Sequence, residues 1–591
     1  MKAQNFERLI TDFGKHVGAD CPLPEYPRPQ MVRDSYVNLN GTWQYAIVRK
    51  GTEPKRFDGT ILVPFSPESI LSGVERTVTP EDELHYARTF VLDASFLREK
   101  TLLHFGAVDY RAEVFVNDVC VGTHKGGYYP FCFDVTEAIR AGENKIYVKV
   151  TDPSDTGPQS RGKQKIKRGG IFYTPQSGIW QTVWMESVSA DYIRSIRLTP
   201  DIDTQTLSVE IEGGTGDGSY AVTYKGIDVV KGEIADGKAV VPMQGAKLWS
   251  PETPELYDIE LRSGKDVVRS YFGMRKFSTG KDANGIMRLM LNNKPYFHNG
   301  LLDQGYWSDG LYTPPSDEAM IFDIATAKKM GFNMLRKHIK IEPLRWYYHC
   351  DRLGMLVWQD MVNGGGKANT PLNGICGFLG ITPKDSNYRL CGRTDEEGRK
   401  EYYIDTERTV KTLYNSVSVC LWVPFNESWG QFDALKATEF VRRLDPTRPI
   451  DHASGWHDQG GGDFVSLHIY FRKVFLPKPD PRVYVLSEFG GYSVKVEGHV
   501  FNKDKSFGYR KYPDLASFDD AYHALYNDEI LPLIPKGLSA TVYTQLTDVE
   551  DEINGLLTYD RKVVKLDLKR LQALNETINR SYDKAAQGDK R

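Results

Sequence analysis

VCLWVPFNESWGQFD, residues 419–433, is apolar for seven positions and then turns polar at Asn426 and Glu427. An ionisable carboxylate placed where a buried strand emerges is costly unless it is paired or used. A second run has the same form: VYVLSEFGG, residues 483–491, ends on Glu488. Apolar runs of this length that alternate with helical patterns indicate βα units around a parallel sheet. After residue 280 such runs fall near 297–302, 332–337, 355–359, 418–424, 450–453, 464–469, 483–487 and 540–545. Eight strands close a (β/α)8 TIM barrel, whose catalytic groups project from the C-terminal strand ends.

The helices between these runs carry readable ends. In PSDEAMIFDIATAKKMG, residues 315–331, Ser316 is the N-cap, acids occupy the first turn, lysines the last, and Gly331 is the stop. Gly354 stops the next helix in the same way. The polar tail from about residue 580, SYDKAAQGDKR, is expected to fray.

Upstream the rhythm differs. TLLHFGAVDYRAEVFVND (101–118) and NKIYVKVTDPSD (144–155) are short alternating runs broken by turn residues, the pattern of an antiparallel jelly roll. TLSVEIEGG, YAVTYKG and YDIELRSG, between 206 and 264, repeat the pattern over a length that suits an immunoglobulin-like β-sandwich. A chain of 591 residues exceeds what one hydrophobic core serves. Three domains are expected: 1–187, an N-terminal extension and jelly roll of sugar-binding type; 188–278, the immunoglobulin-like sandwich; and 279–591, the barrel.

Charges nearly cancel, to a net −3, so no basic surface points to nucleic acid. The seven cysteines are scattered and never form a CxxC, against a disulfide framework or a zinc ribbon. The first twenty residues break every apolar cluster with a polar one, and no later run approaches a membrane span. A reduced, cytoplasmic setting is therefore expected.

Strands four and seven face each other across a barrel, which would bring Glu427 and Glu488 together. Two carboxylates about 5 Å apart suit a retaining glycosidase: one attacks the anomeric carbon, and the other protonates the leaving oxygen and later activates water. Their environments must push their acidities apart. Asn426 adds a donor for the sugar hydroxyl beside the reacting carbon.

Several ordered motifs now coincide. VNDVCVGTHKGGYYPFCFDVT (116–136) and SGIWQTVW (177–184) precede MGFNMLRKH (330–338), CDRLGMLVWQD (350–360), FNESWG and SEFGG. Together they resemble glycoside hydrolase family 2, the group that contains β-galactosidases and β-glucuronidases. The resemblance implies Glu427 as general acid/base, Asn426 as its substrate-orienting neighbour, Glu488 as nucleophile, and Tyr470 of LHIYFRK as the tyrosine that hydrogen-bonds the nucleophile. It implies that Arg336 holds the nucleophile and that His338 lines the sugar pocket. His468, on the same run as Tyr470, joins the expected substrate-binding group. Trp307, Trp422, Trp429 and Trp456 are aromatic candidates at the rim; Trp422 lies inside an apolar run and is expected in the core, while Trp429 and Trp456 are the better sugar platforms.

The chain also departs from that family. After strand one it reads NGLLDQGYWSDG, which places Asp303 and Gln304 where sugar hydroxyls are normally read. Strand three ends WQDMVNGGGK, without the ligands of the magnesium site found in some family galactosidases, so no metal and no cofactor is expected; Asp360 remains a candidate substrate contact. The Asn-x-Lys signature of many glucuronidases gives way to YTQLTDVEDEINGLLTYDRK. RGKQKIKR, residues 161–168, sets Arg161, Lys163, Lys165, Lys167 and Arg168 on one loop, either a solvated patch or a reader of an acidic or sulfated sugar. The segment 363–400 is expected to wall the active site.

The expected function is a retaining exo-β-glycosidase, β-galactosidase-like, acting on a small oligosaccharide or glycoside, with no nucleic-acid or membrane partner and with homo-oligomer formation left open. The alternatives are a β-glucuronidase or other acidic-sugar β-glycosidase and, in another class, a non-catalytic carbohydrate-binding protein on the same scaffold.

Overall fold

The computed structural model describes residues 6–366 and 370–587. Its N-terminal unit packs two antiparallel sheets face to face. The larger runs in the order Gly59–Val63, Gly41–Arg49, Asp82–Leu92, Gly142–Thr151, Arg111–Val116, Val119–Lys125; the smaller in the order Val37–Asn38, Val183–Val188, Lys100–Phe105, Phe131–Asp134. Alternation drives this packing: Ile146, Val148 and Val150 point inward from one strand and join Trp43, Phe105 and Met185 in a single core.

A second sandwich follows. Ile193–Asp201, Thr206–Gly213 and Lys238–Pro242 form one sheet, and Ile227–Ile234, Gly218–Tyr224, Tyr257–Ser263 and Asp266–Phe272 the other. It is stitched on both sides. Arg33 links the two sandwiches by donating to Asp266 at 2.8 and 3.0 Å and to Glu186 at 3.3 Å. The buried indole of Trp249 donates to the Asp351 carbonyl of the barrel at 2.7 Å.

The barrel is one curled parallel sheet in which the fourth strand, Val419–Val423, neighbours the third, Leu356–Asp360. Then come the second, Met334–Lys337, the first, His298–Asp303, the eighth, Leu538–Thr544, the seventh, Val483–Gly490, and the sixth, Phe464–Ile469. The expected fifth strand at 450–453 is not a regular strand. Among the described residues its pairs with the fourth strand are the isolated bridges Trp422 with Ile450 and Asn426 with Ser454. Pro449 has no N–H for a ladder, and the buried Asp451 and Ser454 spend their side chains on hydrogen bonds to Ser466, at 2.7 and 3.3 Å. The segment still fills the gap between the fourth and sixth strands.

Helix ends follow the sequence signals. Ser316 accepts from the Ala319 N–H at 3.2 Å, and Gly354 takes the left-handed conformation, φ 72°. The tail does not fray where expected: helix Leu568–Gln587 continues through it, because Tyr582 packs on Phe297, with ring centroids 5.1 Å apart, and Ala586 is buried. Residues 588–591 of that expectation lie outside the described residues. All seven cysteines are unpaired. Among the described residues no helix is long and apolar enough to cross a membrane.

Candidate active site

The C-terminal strand ends converge on Arg336, which is fully buried on the second strand. Its guanidinium donates to Asp360 at 3.0 and 3.2 Å, to the Ser487 carbonyl at 3.0 Å, to Glu488 Oε1 at 3.1 Å and to Asn426 Oδ1 at 2.7 Å. Five planar donors in a fixed fork suit this role; a lysine could not span these partners. Because Arg336 only donates, the Asn426 oxygen must face it, which turns the amide N–H2 the other way.

Glu488 lies on the seventh strand with 6% of its side chain exposed. Tyr470 donates to its Oε2 at 2.5 Å and also meets Thr544 at 2.9 Å. Burial alone would raise the pKa of Glu488, but the electrostatic pull of its surroundings, with the Arg336 guanidinium 3.1 Å away, outweighs it and holds the carboxyl well below the usual range. Glu488 is thus ionised at neutral pH. Burial pushes the Tyr470 phenol far up, so it stays a donor.

Glu427 stands beyond the end of the fourth strand with 12% of its side chain exposed. Its backbone and that of Ser428 are left-handed, φ 47° and 63°, a conformation that L side chains rarely adopt and that marks functional turns. The Glu427 N–H donating to the Ser454 carbonyl at 2.9 Å holds the turn to the fifth segment. His468 stands between the two carboxylates. Its Nδ1 is 2.8 Å from Glu427 Oε1 and 3.7 Å from Glu488 Oε2, and its Nε2 faces Ser454 at 3.0 Å and Arg336 at 3.4 Å. Arg336 has no lone pair to offer, so Nε2 is the accepting nitrogen and the ring proton sits on Nδ1, aimed at Glu427.

One oxygen from each of Glu427 and Glu488 and one nitrogen of His468 lie within 4.8 Å of one another. Three such donors can in principle hold a cation. Here the guanidinium of Arg336 already touches Glu488 and His468, so the set is electrostatically filled, which suits proton chemistry better than metal binding.

The remaining expected residues divide. His338 is buried, with Nδ1 2.9 Å from Asp360, and burial pushes its basicity well down, so it is a neutral imidazole. Asp360 has both oxygens in bonds to Arg336 and His338 and acts as their support. Asp303 and Gln304, expected to read sugar hydroxyls, are engaged inside the barrel wall. Asp303 accepts from Lys337 at 2.6 Å and from the Gly305 N–H at 2.8 Å, and Gln304 donates to Gln545 at 2.8 Å. Lys337 draws Asp303 inward, a tertiary contact that no local pattern announces.

Among the tryptophans, Trp422 is core, its indole donating to Asp445 at 2.9 Å. Trp307 is also buried, under the Arg561 guanidinium 4.0 Å above its ring. Trp429 and Trp456 are half-buried. Trp429 stacks on Phe172 of the jelly-roll unit, with centroids 5.4 Å apart.

The wall expected at 363–400 includes residues 367–369, which lie outside the described residues. In the rest, Arg393 donates to the Gly430 carbonyl at 2.7 Å and Tyr388 to Asp433 at 2.8 Å, tying the segment to the loop that carries Glu427. Sequence reading passed over Tyr509, whose ring stacks on Tyr470 at 3.7 Å and 5°. It comes from a loop after the seventh strand that carries no motif.

The comparisons with known proteins bear on this geometry. Residues 63–179 match the sugar binding domain of glycosyl hydrolases family 2, residues 191–275 the family 2 model that follows it, and residues 287–481 the family 2 TIM barrel domain. The chain belongs to glycoside hydrolase family 2. A β-galactosidase of Leuconostoc mesenteroides is 27% identical over 417 residues, which cover 64% of this chain but only 36% of that protein. The chain thus spans little more than a third of that curated relative. Among solved structures, a β-D-glucuronidase of Dictyoglomus thermophilum superposes with a TM-score of 0.73 at 18% identity, covering 94% of this chain and 98% of its own. A family 2 β-galacturonidase of Eisenbergiella tayi gives a TM-score of 0.67 at 19% identity, covering 94% and 98%. These likenesses establish a shared fold over the whole family 2 architecture.

Proposed function

We propose that the chain is a retaining exo-β-glycosidase, and the observation that carries this reading is the approach of the Glu427 and Glu488 oxygens to within 4.8 Å. Retaining enzymes need about 5–5.5 Å between their carboxyl groups, whereas inverting ones leave about 6.5–9.5 Å for a water. Glu488, ionised and held by Arg336 and Tyr470, attacks the anomeric carbon and forms a glycosyl ester. Glu427 gives its proton to the departing glycosidic oxygen; as a carboxylate it then takes a proton from water, whose oxygen attacks the anomeric carbon and releases Glu488. His468 Nδ1–H supports Glu427 in its charged state. The Asn426 amide, turned outward by Arg336, donates to the hydroxyl beside the reacting carbon.

The sequence favoured a galactoside. The curated relative quoted above is a β-galactosidase, while the solved neighbours are a β-glucuronidase and a β-galacturonidase. The reading therefore rests on the bond that is cleaved, a terminal β-glycosidic bond. The test is a 2-deoxy-2-fluoro-β-glycosyl fluoride series with mass mapping, beside NMR of the first-formed product. A label on Glu488 and a β-anomer first are expected. An α-anomer first, or a label elsewhere, would sink the retaining assignment.

A further inference from the structure

Five cations on the loop 161–168 come to the barrel mouth, and the loop is clamped there at both ends. The Arg161 and Gly162 N–H groups donate to the Asn363 carbonyl at 3.1 Å, and Arg168 pairs with Glu550 and Asp551, both at 3.1 Å. Four of the five cations have an evident occupation. Arg161 donates to the Gly157 and Gly365 carbonyls at 2.8 Å, Lys165 lies 3.5 Å over the Phe172 ring, Lys167 is exposed to water, and Arg168 has its two acids.

Lys163 differs. It is 7% exposed, and among the described residues its ammonium has neither a hydrogen-bond nor an ion-pair partner. The two rings nearest to it, Tyr173 and Trp429, each lie 5.8 Å away. Trp429 belongs to the turn that carries Glu427, its N–H donating to the Asn426 carbonyl at 2.9 Å. The charge of Lys163 is felt by both Glu488 and His338. The nearby acids do not neutralise it: Glu552 accepts from Tyr173 and Asn554, and Glu550 from Thr174 and Arg168. A largely buried lysine whose ammonium makes no direct hydrogen bond or ion pair among the described residues, at the edge of a sugar pocket, is set for an anion to complete it.

We propose that Lys163, delivered by the jelly-roll unit, binds an anionic substituent, carboxylate or sulfate, on the sugar whose anomeric carbon faces Glu488. The inference rests on the glycosidase reading above and adds the residue that sets substrate class. It places the cation on a different domain from the Asn-x-Lys signature that this chain lacks.

The test compares kcat/KM for 4-nitrophenyl β-galacturonide, β-glucuronide and 6-sulfo-β-galactoside with the neutral β-galactoside and β-glucoside, for wild type, Lys163→Met and Lys163→Arg. Wild type is expected to prefer one anionic sugar over its neutral counterpart by about 100-fold, because a site built for a polar group rejects the analogue that lacks it. Lys163→Met should cut that preference at least about tenfold, and Lys163→Arg should keep most of it. The carboxylate and sulfate substrates separate the two anion sources. Equal or better cleavage of the neutral sugars, or a Lys163→Met loss of the same size on both classes, would overturn the inference and leave the glycosidase reading standing. Cleavage of no substrate, together with no fluoro-sugar label on Glu488, would remove both. Should Lys163→Met not fold, the wild-type preference and the arginine variant still decide.

Discussion

Glu186 and Glu488 are two buried carboxylates in one chain, and they do different things with the same problem. Glu186, in the jelly-roll unit, has no side-chain exposure; it accepts from Arg28 at 2.9 Å, Arg33 at 3.3 Å, His104 at 3.1 Å and Tyr26. Glu488 has Arg336 and Tyr470 but keeps 6% of its side chain open to solvent. Burial works to raise both pKa values and the electrostatic pull of the neighbours overcomes it in both, so both lie below the usual range. The difference is geometric. Partners surround Glu186 on every side and make it a clamp, whereas those of Glu488 hold it from behind and leave a lone pair for an incoming carbon. Charge satisfaction alone therefore identifies neither as catalytic.

The comparison breaks most visibly when each acid is made an amide. Glu488→Gln should lower kcat/KM by at least about 10⁴-fold, as loss of a nucleophile does, while the urea midpoint stays close to that of wild type. Glu427→Gln should cost about 10²–10⁴-fold on substrates with poor leaving groups and less on activated aryl glycosides, with azide restoring turnover as a β-glycosyl azide; an equal loss on both leaving groups would contradict its role as the acid. Glu186→Gln should do the reverse of Glu488→Gln. Leaving Arg28 and Arg33 without their shared acid costs roughly 3–5 kcal/mol of stability, read as a lower urea midpoint, while the folded fraction keeps its specific activity.

The same contrast has a pH signature. Because Glu186 is depressed in the folded chain, its stabilisation is present above the unfolded value of about 4.3 and is lost as pH falls through the folded one. The stability gap between wild type and Glu186→Gln should therefore narrow below about pH 4, and a gap that widens there would contradict the clamp. Tyr470→Phe is the smallest change. Removing a donor to the charged form raises the Glu488 pKa, so the acid limb of kcat/KM should move to higher pH, with a loss at the optimum of about 10–100-fold.

Local patterns carried much of this into the sequence. Seven of the eight barrel strands are legible because apolar runs and caps such as Ser316 are set by near neighbours in the chain. Asn426 and Glu427 are legible because a polar pair at the end of such a run has few structural reasons to be there. The fifth strand misled: its apolar Ile450 reads as strand, while its backbone bonds to the fourth strand only around Ile450 and again at Ser454, as isolated bridges and not as a continuous ladder. Asp303 and Gln304 sat at the right height on the first strand, but Lys337 and Gln545 turn them into the wall. Lys163 was one of five similar cations in the sequence, and only the partners of the other four set it apart. Side-chain direction is settled by residues tens to hundreds of positions away, and a linear pattern holds no record of it.

The clamp between Arg168 and Glu550 joins positions 382 residues apart. On a ribosome that adds about 5–20 residues each second, the loop waits on the order of 20–80 s for its partner to emerge. Throughout that interval the jelly roll can fold while one wall of the pocket faces water, and the acids that will receive Arg168 do not yet exist. Closure of that wall is consequently among the last events in the birth of the molecule, and a ribosome stalled after the jelly roll but before residue 550 holds that unit with its basic loop still unclamped.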